Sequence, residues 1–156
     1  MRRKNQNGFT LIEMLIIVAI LGILAATAIP KLLSAIEKAR IARAIAEISS
    51  INKAITIFKM EKNHIPDKFL SELTPTYMSS IPDDPWNNSY KYYNHETNNG
   101  NGTKRMDGPI VPINQEFDLY SEGPNLKSTP TIRSNNGKDD IIFANDGDFI
   151  GIAEDY

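Results

Sequence analysis

The sequence predicts an α+β fold, in which a long, kinked N-terminal helix packs against a small antiparallel C-terminal sheet with long loops. A nearly unbroken apolar run at residues 11–29 and an amphipathic pattern at residues 31–62 predict the helix. Short runs of β-branched and aromatic residues, separated by proline, glycine and asparagine, predict the sheet within residues 63–156. At 156 residues, the chain has room for one modest domain beside the helix.

The apolar run is about long enough to cross a bilayer as a helix, since a span needs roughly 20 residues. We therefore expect residues 9–30 to form a transmembrane half of the helix. Glu13 is the one charged residue in the run. A carboxylate at the centre of a membrane helix costs about 2.5–3.5 kcal/mol, so we expect Glu13 to have a partner that offsets this cost.

An ordinary secretory signal is the alternative for this segment. The basic residues 2–4, the apolar run and Ala26-Thr27-Ala28 would then be removed by a cut after Ala28. Against this, the run exceeds the usual signal core of about 7–15 residues. The helical pattern also continues past Pro30, where a removed signal would already have ended.

After Pro30, which predicts a kink, the helix becomes amphipathic. One stripe is apolar at three- and four-residue steps, and its members are Ile41, Ile45, Ile48, Ile51, Ile55 and Phe58. We expect this stripe to be ordinary core that backs the sheet. The helix is predicted to run from about Phe9 to about Glu61, because Ile65-Pro66 cannot extend it.

Residues 63–156 are predicted to form a globular head. Its expected elements are a short helix at 68–73, strands at about 89–93, 117–121, 141–143 and 149–152, a long exposed loop at 94–112, and a hairpin turn at Asn145-Asp146-Gly147-Asp148. Trp86 lies in the proline-rich loop before the first strand. We interpret it as a core anchor, and a binding role is the alternative.

Charge is distributed unevenly along the chain. Residues 31–62 contain seven Lys/Arg and three Asp/Glu, a net charge of +4, whereas residues 63–156 contain seven and fifteen, a net charge of −8. The acidic head disfavours nucleic acid as a partner. A basic stem and an acidic head suit packing between neighbouring copies, although the same charges also suit solvated faces.

No enzymatic activity is expected from the motifs. The sequence has no Walker loop, nucleophile elbow or His-Glu-x-x-His motif. Its two histidines, His64 and His95, lie in polar or proline-bearing loops, and spacing identifies no partner for them. The absence of cysteine excludes a disulfide framework and a thiolate metal site, so loops in the head must be held in another way.

The start of the apolar run resembles the class III leader junction of type IV pilins and of the type II secretion pseudopilins: it reads Gly8-Phe9-Thr10-Leu11-Ile12-Glu13. The resemblance implies that a prepilin peptidase cuts after Gly8, so that residues 1–8 are a leader and Phe9 becomes N-methylated. It also implies that Glu13 and Pro30 are assembly residues. Glu13 would pair with the amine of Phe9 on an adjoining subunit, and Pro30 would kink the helix.

Parts of the head resemble the major pseudopilin of type II secretion. Residues 84–90 share its Asp-Pro-Trp and a following tyrosine, and residues 117–125 with Asp139-Asp140-Ile141 resemble its calcium-binding loop. Carried over, the loop at residues 122–140, here called the C-terminal loop, binds Ca²⁺. The implied ligands are the backbone carbonyl of Glu122, the side-chain oxygen of Asn125 and the carboxylates of Asp139 and Asp140. Asn125 stands where the family has aspartate, and by chemistry alone an aspartate pair in a loop is more often a solvated turn.

The resemblance implies a structural function. The chain would be a subunit that polymerises through its N-terminal helix into a type II secretion pseudopilus and helps to drive protein export across the outer membrane. The implied partners are copies of itself, minor pseudopilins, an inner-membrane assembly platform and the prepilin peptidase. The implied location is the bacterial inner membrane, with a single span, the head in the periplasm and a periplasmic filament. The alternatives are a type IV pilin subunit for motility, adhesion or DNA uptake, and a lone membrane-anchored binding domain.

Overall fold

The structure, a computed structural model, describes residues 9–156 and contains two α-helices and five β-strands. Their bounds are α1 Leu11–Lys62, α2 Phe69–Leu73, β1 Lys91–Asn94, β2 Asn99–Gly100, β3 Phe117–Ser121, β4 Ile141–Ala144 and β5 Phe149–Ile152. The chain divides into two compact units, one ending at Lys38 and one extending from Ala39 to Tyr156. Helix α1 contributes residues to both units.

Helix α1 confirms the predicted long helix, and its ends lie within two residues of those expected. Pro30 lies inside α1 and does not end it. Proline removes one backbone N–H from the helix ladder, but the helix continues because it is flanked by alanine before Pro30 and by leucine after it, which favour a helix. In the first unit, every described residue up to Ile36 is exposed.

The second unit has its main core between α1 and one face of the sheet. The helix contributes the buried residues Ala44, Ile48, Ile51, Ala54, Ile55 and Phe58. From the strands and the adjoining residue come Tyr90, Tyr92, Phe117, Leu119, Ile141 and Phe143. The amphipathic stripe is therefore core, as its spacing predicts, with Ile41 and Ile45 packing half-buried at its edge.

The five strands form one antiparallel sheet in the order β2-β1-β3-β4-β5. The four predicted strands are confirmed. The predicted hairpin also exists, since β4 and β5 are joined by a turn at Asn145–Gly147. Its three residues all have positive φ, and glycine takes such angles without strain.

The prediction of a long exposed loop at 94–112 was wrong. The segment contains strand β2, which pairs with β1 through Asn99 and Gly100, and it contains Arg105, which is only 1% exposed. This segment crosses the second face of the sheet. Successive side chains of a strand point to opposite faces, so the strand residues that do not face the main core form a smaller core here. The buried members of this smaller core are Ile113, Tyr120, Ile132, Ile142, Ala144 and Ala153.

Candidate functional site

Helix α1 begins with a capping box formed by Thr10 and Glu13. The carboxylate oxygen Oε2 of Glu13 accepts the backbone N–H and the hydroxyl of Thr10, each at 2.7 Å. In return, the backbone N–H of Glu13 donates to the Thr10 hydroxyl oxygen at 3.3 Å. Sequence reasoning missed this local role, although Thr-x-x-Glu before an apolar run is the usual signal for it.

The helix segment that follows the capping box is apolar and uncovered. It is the one candidate membrane span among residues 9–156, and none of its most apolar stretch is buried. Phe9, which precedes the helix, is 74% exposed, and Leu11 is 85% exposed. Gly8, the residue predicted to precede the cut, lies outside the described residues. So large an apolar surface marks a site for lipid or for other protein chains.

In the head, Asp84 joins the Asp-Pro-Trp segment to the end of β3. Its Oδ1 accepts the backbone N–H groups of Trp86 at 3.0 Å and Asn88 at 2.8 Å, and its Oδ2 accepts the hydroxyl of Ser121 at 2.5 Å. Both Asp84 and Ser121 are buried. Trp86 packs half-buried against the main core, which confirms its interpretation as a core anchor. Two segments that carry the resemblance therefore contact each other directly.

Asp118 is a fully buried carboxylate on β3 with three donors around it. Its Oδ2 accepts the backbone N–H of Arg105 and lies at hydrogen-bond distance from Nε2 of His95, both at 2.7 Å. Its Oδ1 accepts Nδ2 of Asn114 at 2.8 Å. Asp118 thus fixes three non-strand residues to the sheet. It is also the partner of His95 that spacing did not identify.

The three side chains predicted to bind calcium, those of Asn125, Asp139 and Asp140, do not converge on one point. Asn125 and Asp139 contact each other, because Nδ2 of Asn125 donates to Oδ1 of Asp139 at 2.5 Å. The expected ligand atom of Glu122 is its backbone carbonyl oxygen, and its carboxylate lies 3.6 Å from the ammonium group of Lys91. Among residues 9–156, no group of three or more histidine and carboxylate side chains is placed to hold a metal ion.

Gly123 explains how the two arms of the C-terminal loop approach each other. Its φ is +63°, and a Cβ at this position would lie 2.2 Å from the carbonyl oxygen of Asp139. Any other residue would therefore be strained and would clash with backbone, so only glycine fits here.

Asp140, the fourth predicted ligand, points into the protein and pairs with Arg105. Its Oδ2 accepts a hydrogen bond from Nη2 of Arg105 and another from the hydroxyl of Ser128, the latter at 2.5 Å. Asp140 is fully buried, and its Oδ1 accepts no hydrogen bond within the described part of the chain. Burial raises the pKa of the Asp140 carboxyl above its ordinary value, and the charge of Arg105 opposes that rise.

Arg105 is the site residue that sequence reasoning missed. It lies between Lys104 and Met106 in a polar segment without periodicity, so no local signal marks it as buried. Its burial depends on partners far along the chain, among them Asp140, 35 positions away, and Tyr120. Long-range pairing of this kind is not readable from a single sequence.

The chain matches two family models. Residues 3–29 match the prokaryotic N-terminal methylation motif, and residues 31–104 match the model described as type II secretion system (T2SS), protein G. The C-terminal loop and Arg105 lie beyond both matched ranges. No solved structure matches the chain.

Curated relatives are named type II secretion system core protein G. The protein of that name from Pseudomonas aeruginosa is 35% identical over 143 residues, covering 81% of this chain and 89% of the relative. That of Vibrio cholerae is 35% identical over 106 residues, covering 58% and 73%. That of Aeromonas hydrophila is 31% identical over 107 residues, covering 58% and 75%. With its apolar N-terminal helix and its small antiparallel sheet, the chain belongs to the family of the type II secretion system core protein G.

Proposed function

We propose that the protein is the major structural subunit of a type II secretion pseudopilus, which polymerises through its N-terminal helix and helps to drive protein export across the outer membrane. The observation that carries the proposal is the uncovered apolar half of α1, in a chain of the core protein G family. A folded head that never polymerises would need an apolar helix only as a membrane anchor. A subunit that must pass from lipid into a filament needs an apolar surface that suits both surroundings.

Assembly through this helix gives Glu13 its role. In the membrane, the capping box supplies local donors for the carboxylate. After a cut behind Gly8, the new amine of Phe9 on an adjoining subunit would supply a positive charge at the same depth. A charge pair in a low-dielectric surrounding is strong, and it would set the axial offset between two neighbouring helices.

The finer assignments follow from this role. A prepilin peptidase removes residues 1–8 and Phe9 becomes N-methylated. The 9–30 half of the helix lies in the inner membrane or the filament core, residues 31–62 back the head, and residues 63–156 form the periplasmic head. The partners are copies of the same chain, minor pseudopilins and an inner-membrane assembly platform. The role is structural rather than enzymatic.

The direct test separates the charge of Glu13 from its capping function. Glu13→Gln removes the charge but retains a side-chain oxygen that can cap the helix, since glutamine also serves in capping boxes. Thr10→Ala is the matched control, since it breaks the capping box and retains the charge. Each variant replaces the wild-type gene in its native host. We then measure processing by mass, filament yield by cross-linking of subunits in the periplasm and immunoblot, and the amount of exported protein in the medium.

We expect Glu13→Gln to be cut and inserted normally but to yield few filaments and little export. Thr10→Ala should be cut and should yield filaments close to the wild-type amount, because a lost cap costs only about 1 kcal/mol. Wild-type filament yield from Glu13→Gln would refute the charge-pairing role. Normal export in a strain that lacks the gene altogether would refute the proposed function itself.

A further inference from the structure

The guanidinium of Arg105 contacts both arms of the C-terminal loop. In the first arm, its Nη1 donates to the hydroxyl of Ser128 at 2.5 Å and to the carbonyl oxygen of Thr129 at 2.6 Å. In the second arm, its Nη2 pairs with the carboxylate of Asp140, immediately before β4. The same group lies over the ring of Tyr120, with Cζ 4.3 Å from the ring centroid. One buried cation therefore ties the middle and the end of the loop to the sheet.

These contacts supply acceptors for Nη1 and Nη2 of the buried guanidinium, whereas its Nε has no hydrogen-bond partner within residues 9–156. Arg105 is 1% exposed and Asp140 is fully buried, so each charge would be costly without the other. Arginine suits the position because its planar fork donates to several acceptors at fixed angles and stacks on aromatic rings. The Arg105 backbone is held as well, since its N–H donates to Asp118 and its carbonyl oxygen accepts the N–H of Ile113.

The donor set fits a divalent cation poorly. Calcium needs six to eight oxygens at about 2.3–2.6 Å, and a guanidinium already occupies the side of Asp140 that faces the loop. Only Oδ1 of Asp140 is left, and it is buried beside a positive charge that would repel a second cation. The side chains of Asn125 and Asp139 form a separate contact with each other.

We propose that Arg105 is a built-in cation that orders the C-terminal loop in place of the calcium ion implied by the family resemblance. The loop of this chain is then ordered without divalent cations. The inference is independent of filament assembly, because it concerns only contacts inside the head. It also accounts for Asn125, since a site that is held together by arginine has no need for a further aspartate at that position.

The test measures loop order in the full-length protein in detergent, with either millimolar calcium or EDTA. Lys127 is exposed within the loop, so the rate of trypsin cleavage after Lys127 reports how often the loop opens. The variants are Arg105→Gln and Arg105→Lys. The matched control is Arg133→Gln, because the Arg133 side chain is 60% exposed and pairs with Asp107 at the surface. Thermal unfolding of each protein is followed by circular dichroism.

We expect wild type and Arg133→Gln to be cleaved slowly, at rates that calcium does not change. Arg105→Gln should be cleaved about tenfold faster or more, as expected when local opening becomes easier by about 1.4 kcal/mol. Arg105→Lys should fall between them, because lysine keeps the charge but not the fork. Asp140→Asn should add little to the effect of Arg105→Gln, since both remove the same pair.

Two results would overturn the proposal. One is a wild-type protein whose loop is cleaved more slowly, or whose melting temperature is higher, in calcium than in EDTA. The other is an Arg105→Gln variant whose loop resists trypsin as well as wild type. If Arg105→Gln does not fold, the comparison of wild type in calcium and in EDTA, together with Arg105→Lys, still decides the question.

Discussion

Replacing Asp118 by alanine should destabilise the head strongly, because the change removes one acceptor group from three donors. The buried backbone N–H of Arg105 would lose its partner, as would Nε2 of His95, while Nδ2 of Asn114 would keep only its bond to the carbonyl oxygen of Phe143. Each hydrogen bond to a charged group contributes about 1.5–3 kcal/mol, and some donors will find water after relaxation. We therefore expect the free energy of unfolding to fall by about 3–5 kcal/mol, which is a large share of the 5–15 kcal/mol typical of a domain.

The assay is urea unfolding of the full-length protein in detergent, followed by near-ultraviolet circular dichroism of the head. The free energy of unfolding should fall by less in Asp118→Asn, since the amide keeps one acceptor oxygen. Asp155→Ala is the control, because Asp155 is exposed and its removal should change stability by less than about 0.5 kcal/mol. A loss below about 1 kcal/mol for Asp118→Ala would refute the argument that this carboxylate fixes three loop residues.

Two further predictions concern processing and pH. Gly8→Val should leave an uncut precursor that is inserted in the membrane and absent from filaments. The reason is that a bulky side chain before the scissile bond obstructs the peptidase that the resemblance implies. A normal mature mass would contradict the leader assignment. Burial raises the pKa of Tyr90 and of Tyr92 above the ordinary value. The unfolded chain loses these protons near pH 10 while the folded chain keeps them, so the stabilisation is fully present below that pH and falls above it by up to about 1.4 kcal/mol per pH unit for each tyrosine. Tyr90→Phe should reduce this slope in urea unfolding between about pH 9.5 and 11, and an unchanged slope would contradict it.

Features with a regular sequence period were predicted well. The three- and four-residue spacing of isoleucines placed Ile48, Ile51 and Ile55 in the core, and all three are at most 1% exposed. Strand β3 was predicted with its observed bounds, because alternation and β-branched or aromatic residues mark a strand locally. The turn between β4 and β5 follows from Asp-Gly, since glycine takes positive φ without strain.

Features that depend on distant pairs were not predictable. Strand β2 has two residues, too few for a period, and it exists because β1 offers an open edge. The burial of Arg105 depends on Asp140 and on Tyr120, which lie far along the chain. The resemblance implied that Asp140 is a calcium ligand, and it carried no information about the residues that surround this carboxylate. The guanidinium that reaches this carboxylate comes from a segment outside the matched range.

The head is stabilised by contacts within the chain, whereas the apolar helix needs contacts from outside it, and this difference suits a filament subunit. The head contains no cysteine, yet its second core, the Asp118 cluster and the Arg105–Asp140 pair hold its loops with groups from the same chain. Its stability then depends neither on the redox state of its surroundings nor, on our proposal, on divalent cations. The described part of the first unit buries nothing before Glu37, so its apolar surface can be satisfied only by lipid or by neighbours. A subunit built in this way can move between membrane and filament while its head stays folded, because only the helix changes its surroundings.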